Sequence, residues 1–359
     1  MVLFFHGMLF AVGLVMIIKG SDWFIDSAVW TAEVFRIPPI IIGVTIISIC
    51  TTLPETFVSI TAAWRGETDM AIGNSLGSIG VNTGFIMALL LIFATPVIDN
   101  RREFKENGFF LIGVLLLVWL TGSYFGNIGR VPGVLLVIIM LLFIVKNVMS
   151  ARKLMDLDIR YDIEDEDKVK SHYDPSKDLP EGLAYDEVEN DFDVSRQEII
   201  RKVILFVIGI SLVIVGSNFL VVNGIKIAEI LRVPTILVAV IFTSVGTSLP
   251  ELITTISSIR KGVTNLGVGN IIGANILNIV QVVGITALIS PISLSHDRSI
   301  LLVQLPLVFL LITLAVCFGI FSKKGFLRWQ GILLLFLYFL FLIINILREG
   351  TPIIGPYLF

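Results

Sequence analysis

Two glutamates stand where an apolar helix would ordinarily carry none. Residues 46–60 read I-I-S-I-C-T-T-L-P-E-T-F-V-S-I, and residues 241–256 read I-F-T-S-V-G-T-S-L-P-E-L-I-T-T-I. In each stretch a proline directly precedes the acid, as Pro54-Glu55 and Pro250-Glu251. Pro54 has no N–H to give the carbonyl of Cys50, and its ring pushes that carbonyl aside; Pro250 does the same to Gly246. One turn back on the same helix face sit Thr51 and Thr247. Each break therefore collects a carboxylate, a hydroxyl and a loosened carbonyl. Two such breaks facing each other supply about six oxygens and two negative charges, a set that suits the flexible shell of Ca²⁺, whereas Mg²⁺ resists full dehydration. No histidine or thiolate is placed to favour zinc or copper.

The elements that must hold these groups lie in a bilayer. The chain has 359 residues, 55% of them hydrophobic and only 15% charged, with a mean hydropathy of +0.93. A soluble domain carries roughly 25% charged residues, and a globular core cannot absorb so much apolar surface. Ten apolar stretches of spanning length are expected, at roughly 2–21, 38–64, 70–95, 108–125, 131–150, 199–222, 234–259, 265–290, 299–321 and 328–347. The first has neither a preceding positive region nor a small-residue cleavage site, so it reads as a membrane helix rather than a leader. Cys50 and Cys317 both lie in apolar runs and give no disulfide framework.

Residues 151–198 are a different material. They hold 16 of the 29 acidic residues, including the run Glu164-Asp165-Glu166-Asp167, and read as a hydrophilic linker. They lack the spaced Asp/Asn/Gly pattern of an EF-hand. Fourteen lysines and arginines, among them Arg101, Lys146, Arg201, Arg260 and Lys323, fall on the same side of the membrane as this segment. Six fall opposite: Arg65, Arg130, Lys226, Arg232, Arg298 and Arg348. The positive-inside rule then places the acidic segment in the cytoplasm and both termini outside the cell membrane.

The chain repeats itself. Slid by 196 residues, 20–93 and 216–289 share about 20 identities over 74 positions without a gap. They are Gly, Pro, Glu, Asn and Thr rather than chance leucines, and include Arg36/Arg232, Pro38/Pro234, Gly66/Gly262, Gly73/Gly269, Asn74/Asn270, Gly77/Gly273 and Asn82/Asn278. Five helices per half, an odd number, send the second half into the membrane from the opposite side, the plan of an inverted-repeat transporter. The expected organisation is residues 1–150 as the first five-helix repeat, 151–198 as the acidic cytoplasmic loop, and 199–359 as the second repeat. Downstream of each break, Asn74, Ser78 and Asn82 share one helix face, and Asn270, Ala274 and Asn278 share its counterpart. The glycine pairs permit close helix approach and need no further role.

Blander readings exist for each feature singly. A lone proline in a membrane helix is commonly a kink, and a lone buried glutamate can be a satisfied structural group. Duplication at preserved spacing tips both toward function, because intramembrane carboxylates are costly. Asp22, Asp26 and Glu33 are expected at the membrane interface, and His6, His172 and His296 are assigned no role.

The doubled Leu-Pro-Glu motifs, Thr51-Thr52-Leu53-Pro54-Glu55 and Gly246-Thr247-Ser248-Leu249-Pro250-Glu251, are each followed 18 residues after the glutamate by Gly-Asn. They resemble the paired alpha-repeats of the calcium/cation antiporter superfamily, and among its branches the prokaryotic sodium/calcium exchangers. The resemblance implies an all-α polytopic membrane protein of ten transmembrane helices in two inverted five-helix repeats, with helices 2, 3, 7 and 8 forming the ion site. By position it implies calcium ligands at Thr51, Glu55, Thr247 and Glu251. It also implies sodium ligands at Ser48, Thr52 and Ser78 in one half and Ser244 and Ser248 in the other, with Asn82 and Asn278 at the centre. Departures from the pattern are Cys50 in place of glycine, Ile79-Gly80 where the second half keeps Asn275-Ile276, and Ala274 where a serine is usual. Asn278 stands where potassium-dependent members have aspartate, which argues against potassium dependence.

The leading expectation is therefore an antiporter of Ca²⁺ against Na⁺; the alternative is Ca²⁺/H⁺ exchange, or another divalent cation antiporter with weak sodium coupling. An intramembrane protease would need a water-activating motif that these carboxylates lack, and the two symmetric halves favour a rocking carrier over a passive channel. No enzymatic activity, cofactor or nucleic-acid partner is expected; the partners are the bilayer and inorganic cations, and a monomer should suffice. Two carboxylates a few ångströms apart cannot both stay ionised without a cation, so protons should compete with calcium. The hydroxyl missing at Ala274 should weaken one sodium site by about 1–3 kcal/mol.

Overall fold

The computed structural model describes residues 2–34, 48–98, 100–165, 195–260, 262, 264–294, 300–322 and 325–349. Among them the chain is almost entirely helical. The first half contributes α1 (Val2–Val34), α2 (Ser48–Thr51), α3 (Leu53–Trp64), α4 (Thr68–Ala94), α5 (Arg101–Phe125) and α6 (Arg130–Asp165). The second contributes α7 (Arg196–Leu231), α8 (Thr235–Thr247), α9 (Leu249–Arg260), α10 (Thr264–Leu277, carried on through Asn278–Val283 and Gly284–Ile289), α11 (Ile300–Phe321) and α12 (Arg328–Glu349). Eight of these helices are long and apolar enough to cross a membrane, and nine if the bent pair α8 and α9 counts as one span. Of the expected stretch 38–64, residues 38–47 lie outside the described residues, and α2 and α3 are its remainder.

Several helices outrun their apolar segments. α1 has 33 residues and α7 has 36, about 50 Å each at 1.5 Å per residue, against a hydrocarbon core of about 30 Å. Asp22 and Asp26 ride on the continuation of α1 past the expected end of the apolar stretch at 21, where Lys19 pairs with Asp22 at 3.7 Å. α6 likewise continues past Ser150, the expected end of the span, to Asp165.

α4 and α10 form the centre. Their apolar windows are 78% and 83% buried, whereas that of α1 is 17% buried. Both central helices loosen at repeat-equivalent places into π-helical turns, Val81–Ile86 and Asn278–Val283. α3 and α4 pack together, as do their mates α9 and α10, and α3 and α9 each also pack on the π-turn contributed by the other half. Around this centre α5, α6, α11 and α12 share one continuous apolar core with α4 and α10. α1 lies along α7. There a Cβ on Gly13 would come within 2.8 Å of the Gly216 carbonyl, so only glycine permits the backbones to touch. A two-residue antiparallel pairing, Asn127 with Ser293 and Ile128 with Ile292, ties the α5–α6 turn to the segment after α10.

Candidate functional site

Each half breaks its helix at the proline motif. α2 stops at Thr51 and α3 restarts at Leu53, with Thr52 between them at φ −86°, ψ −2°. α8 and α9 meet at Ser248 with a bend of 43°. Pro54 and Pro250 sit in the first turn after the break, where a missing N–H costs a helix nothing. The break leaves the glutamates one residue past the prolines, at the centre of the protein rather than toward lipid. Glu55, Glu251, Thr51, Thr52, Ser78, Asn82, Ser244, Thr247 and Asn278 are all fully buried, with Ser248 at 1% and Ser48 at 7% exposure.

The structure brings these residues together across the two halves. Glu55 Oε1 accepts from Ser248 Oγ at 3.2 Å and from Ser78 Oγ at 3.4 Å. Thr247 Oγ1 lies 3.5 Å from Ser78 Oγ and donates to Asn74 Oδ1 at 3.4 Å. Asn74 in turn donates to the Glu55 carbonyl at 3.2 Å and to Ser59 Oγ at 3.0 Å. Reciprocally, Thr51 stands beside Glu251, and the two carboxylates are near enough to feel each other's charge. Three carboxylate oxygens, Glu55 Oε2 and both of Glu251, have no protein hydrogen-bond partner, and neither do the amide groups of Asn82 and Asn278. Leaving such groups unpaired in a dry interior is costly. Collected on two broken helices, they can surround a hard cation.

Some placements differ from what the repeat suggested. Sequence grouped Ser78 with Ser48 and Thr52 of its own half, but the fold sets Ser78 with Thr247 and Ser248 of the other half, around Glu55. Asn270, the repeat mate of Asn74, turns to Thr254 Oγ1 at 3.1 Å and stays half-buried. Thr52 Oγ1 and Thr51 Oγ1 both donate to the Ser48 carbonyl, at 2.8 and 3.2 Å, and Ser244 Oγ donates to the Val240 carbonyl at 2.6 Å. Residues that sequence reasoning passed over fasten the halves together. Asn275 Nδ2 donates to Thr83 Oγ1 and Gln281 Nε2 to Thr56 Oγ1, both at 2.8 Å, while Ser75 Oγ donates to the Asn278 carbonyl at 2.6 Å. The signal that could have revealed them is polarity inside helices that are otherwise apolar.

Buried, oxygen-lined breaks in paired central helices define a polytopic membrane transporter of inorganic cations. The family model described as "Sodium/calcium exchanger protein" matches residues 5–149 and 201–347, so both halves are covered and the acidic segment is skipped. The chain belongs to that sodium/calcium exchanger family, whose members are cation antiporters and not enzymes. It is 32% identical over 309 residues to the inner membrane protein YrbG of Escherichia coli, covering 82% of this chain and 84% of that protein. It is 26% identical over 358 residues to the sodium/calcium exchanger MaX1 of Methanosarcina acetivorans, covering 92% and 96%. A solved structure of the sodium-calcium exchanger NCX_Mj, soaked with Na⁺ and Sr²⁺, shares the fold with a TM-score of 0.59 at 23% identity, over 94% of this chain and 98% of that one.

Proposed function

We propose that this chain exchanges Ca²⁺ for Na⁺ across the cell membrane by alternating access at the site between the two broken helices. One observation carries the reading: three buried carboxylate oxygens and two buried amides, contributed by both halves, have no hydrogen-bond partner in the protein. Ca²⁺ takes six to eight oxygens in a flexible shell. Thr51, Glu55, Thr247 and Glu251 supply the calcium set, and two carboxylates neutralise the ion. Asn82 and Asn278 hold the central position. The hydroxyls of Ser48, Thr52, Ser78, Ser244 and Ser248 flank the site and are the sodium candidates. Residues 1–150 and 199–359 act as two five-helix bodies that rock about the site, a monomer suffices, and the charge pattern puts both termini outside with 151–198 in the cytoplasm. Thiol labelling of cysteines added at each terminus reads that orientation.

The deciding experiment is calcium uptake by purified protein in proteoliposomes under an imposed sodium gradient. Uptake that follows the sodium gradient and reverses with it supports the proposal. Uptake that ignores sodium and follows a proton gradient assigns the driving ion to H⁺ instead, and no calcium movement under either gradient removes the reading.

A further inference from the structure

The two glutamates are repeat mates, yet their surroundings are not. On the Glu55 side, Ser78 Oγ and Ser248 Oγ converge on the same carboxylate oxygen, and Thr247 Oγ1 stands beside Ser78. The mate of Ser78 is Ala274, which is fully buried and carries only a methyl group. The mate of Ser248 is Thr52. Its hydroxyl turns back to the Ser48 carbonyl at 2.8 Å, the i−4 bond that threonine readily makes within a helix. The mate of Asn74 is Asn270, which turns aside to Thr254. The fully buried Glu251 consequently has the Thr51 hydroxyl beside it but no counterpart of Ser78 or Ser248. One flank offers a carboxylate with three hydroxyls; the other offers a carboxylate with one, that of Thr51.

We propose that Na⁺ binds on the Glu55 flank and between the two carboxylates but not on the Glu251 flank, so that Ala274 and the turned-back Thr52 set the exchange at two sodium ions per calcium. This rests on the reading of the site as a Ca²⁺/Na⁺ antiporter. A monovalent cation leaving water needs neutral oxygens to replace its hydration shell, and one carboxylate with a single hydroxyl supplies too few. Ca²⁺ binds two carboxylates without net charge, and two Na⁺ do the same, so the cycle moves no charge across the membrane. Glu251, with a single hydroxyl beside it, is left to face the divalent ion.

The test is sodium-dependent calcium efflux from proteoliposomes holding the full-length protein, measured against sodium concentration and membrane voltage, for the wild type, Ala274→Ser, Thr52→Ser and Ser78→Ala. The wild type should show a Hill coefficient of about two, within the bound set by the number of sites, and no response to voltage. Ala274→Ser should raise the coefficient toward about three and make efflux voltage-sensitive, because a third Na⁺ leaves one net charge to move through the field. Thr52→Ser, which removes the methyl that stiffens χ1 and lets the hydroxyl turn toward Glu251 as its mate Ser248 turns toward Glu55, should move the same way and stands in if Ala274→Ser does not insert. Ser78→Ala should raise the sodium needed for half-maximal efflux by roughly 5-fold or more. A wild-type coefficient near three with clear voltage dependence overturns the inference and leaves calcium–sodium exchange standing. Calcium movement that never responds to sodium overturns both.

Discussion

The two halves of this protein share their motifs but not the way they grip each other. Asn275 of the second half bonds Thr83 of the first, whereas the repeat mates of this pair are Ile79 and Ile279, both in the apolar core. Gln281 bonds Thr56, and its mates are Phe85 and Leu252. Ser75 takes the Asn278 carbonyl, freed where the π-turn begins, and the mate of Ser75 is Ile271. Each of these three hydrogen bonds has an apolar residue in its place on the symmetric side. Duplication preserved the glutamates and the breaks, and let the fastening drift to one side. If access alternates as proposed, the two halves of an inverted repeat exchange conformations, so polar fastening on one side and apolar packing on the other would hold the two end states by different forces. Hydrogen bonds demand geometry, and apolar contact tolerates sliding.

The comparison breaks most sharply at the features that did not drift. Glu55→Gln and Glu251→Gln should each reduce calcium exchange by at least about 100-fold, since removing one charge from a buried ionic set costs roughly 3–5 kcal/mol. Calcium flux in proteoliposomes, with insertion checked by size-exclusion chromatography in detergent, measures this. Normal flux in either variant would show that one half suffices and that the symmetric site is not used. Acid should act in the same direction. On the proposed site, protons and Ca²⁺ would compete for the same carboxylates, so the calcium concentration for half-maximal flux should rise as pH falls, while saturating calcium restores the rate. A calcium affinity unchanged between neutral and acidic buffer would separate the glutamates from binding.

Much of this was legible in the residues. Proline beside glutamate in an apolar run is rare enough to mark a break, and its recurrence at an offset of 196 reveals both the inversion and the pairing. Gly66 and Gly262, also repeat mates, sit at positive φ of 80° and 73° and turn the chain after each broken helix, as their types allow. What sequence could not show is which hydroxyl meets which carboxylate across the pseudo-two-fold, because that pairing joins residues up to 193 positions apart. Ser78 was therefore grouped with its own half. The π-turns at Asn82 and Asn278 were invisible too, since no residue type marks an i to i+5 bond. Hydropathy marks apolar stretches, not helix ends, so α1 and α7 run longer than their apolar stretches suggest.

A smaller effect tests the polar fastening itself. Replacing both partners together, as Thr83→Val with Asn275→Leu or Thr56→Val with Gln281→Leu, removes one cross-half hydrogen bond without orphaning its partner. Each bond contributes about 0.5–1.5 kcal/mol, so the equilibrium between the two facing states should shift roughly 2- to 12-fold away from the one seen here. The readout is apparent calcium affinity measured separately from the two faces of the membrane, which should move in opposite directions. Equal shifts on both faces would mean that these bonds only stabilise the fold.

The smallest effect is expected where the two halves are joined. α6 runs to Asp165 and α7 begins at Arg196, capped by Ser195 Oγ, which accepts from the Glu198 amide at 3.4 Å. The intervening acidic stretch aligns with nothing in the repeat, and the family match passes over it from 149 to 201. If it is a solvated tether, its only duty is to let the halves meet, and a flexible tether costs little to shorten because closure entropy varies only logarithmically with length. Replacing residues 167–193 with a short Gly-Ser linker keeps both helix ends and the Ser195 cap. Calcium exchange should then stay within about twofold of the wild type, as expected for a change confined to a surface connection. The dependence of rate on cytoplasmic calcium is the sharper measure. An unchanged curve confirms a passive joint, a shifted curve with full maximal rate makes the acidic stretch a calcium-responsive regulator, and loss of transport in a correctly inserted variant would place it in the moving machinery.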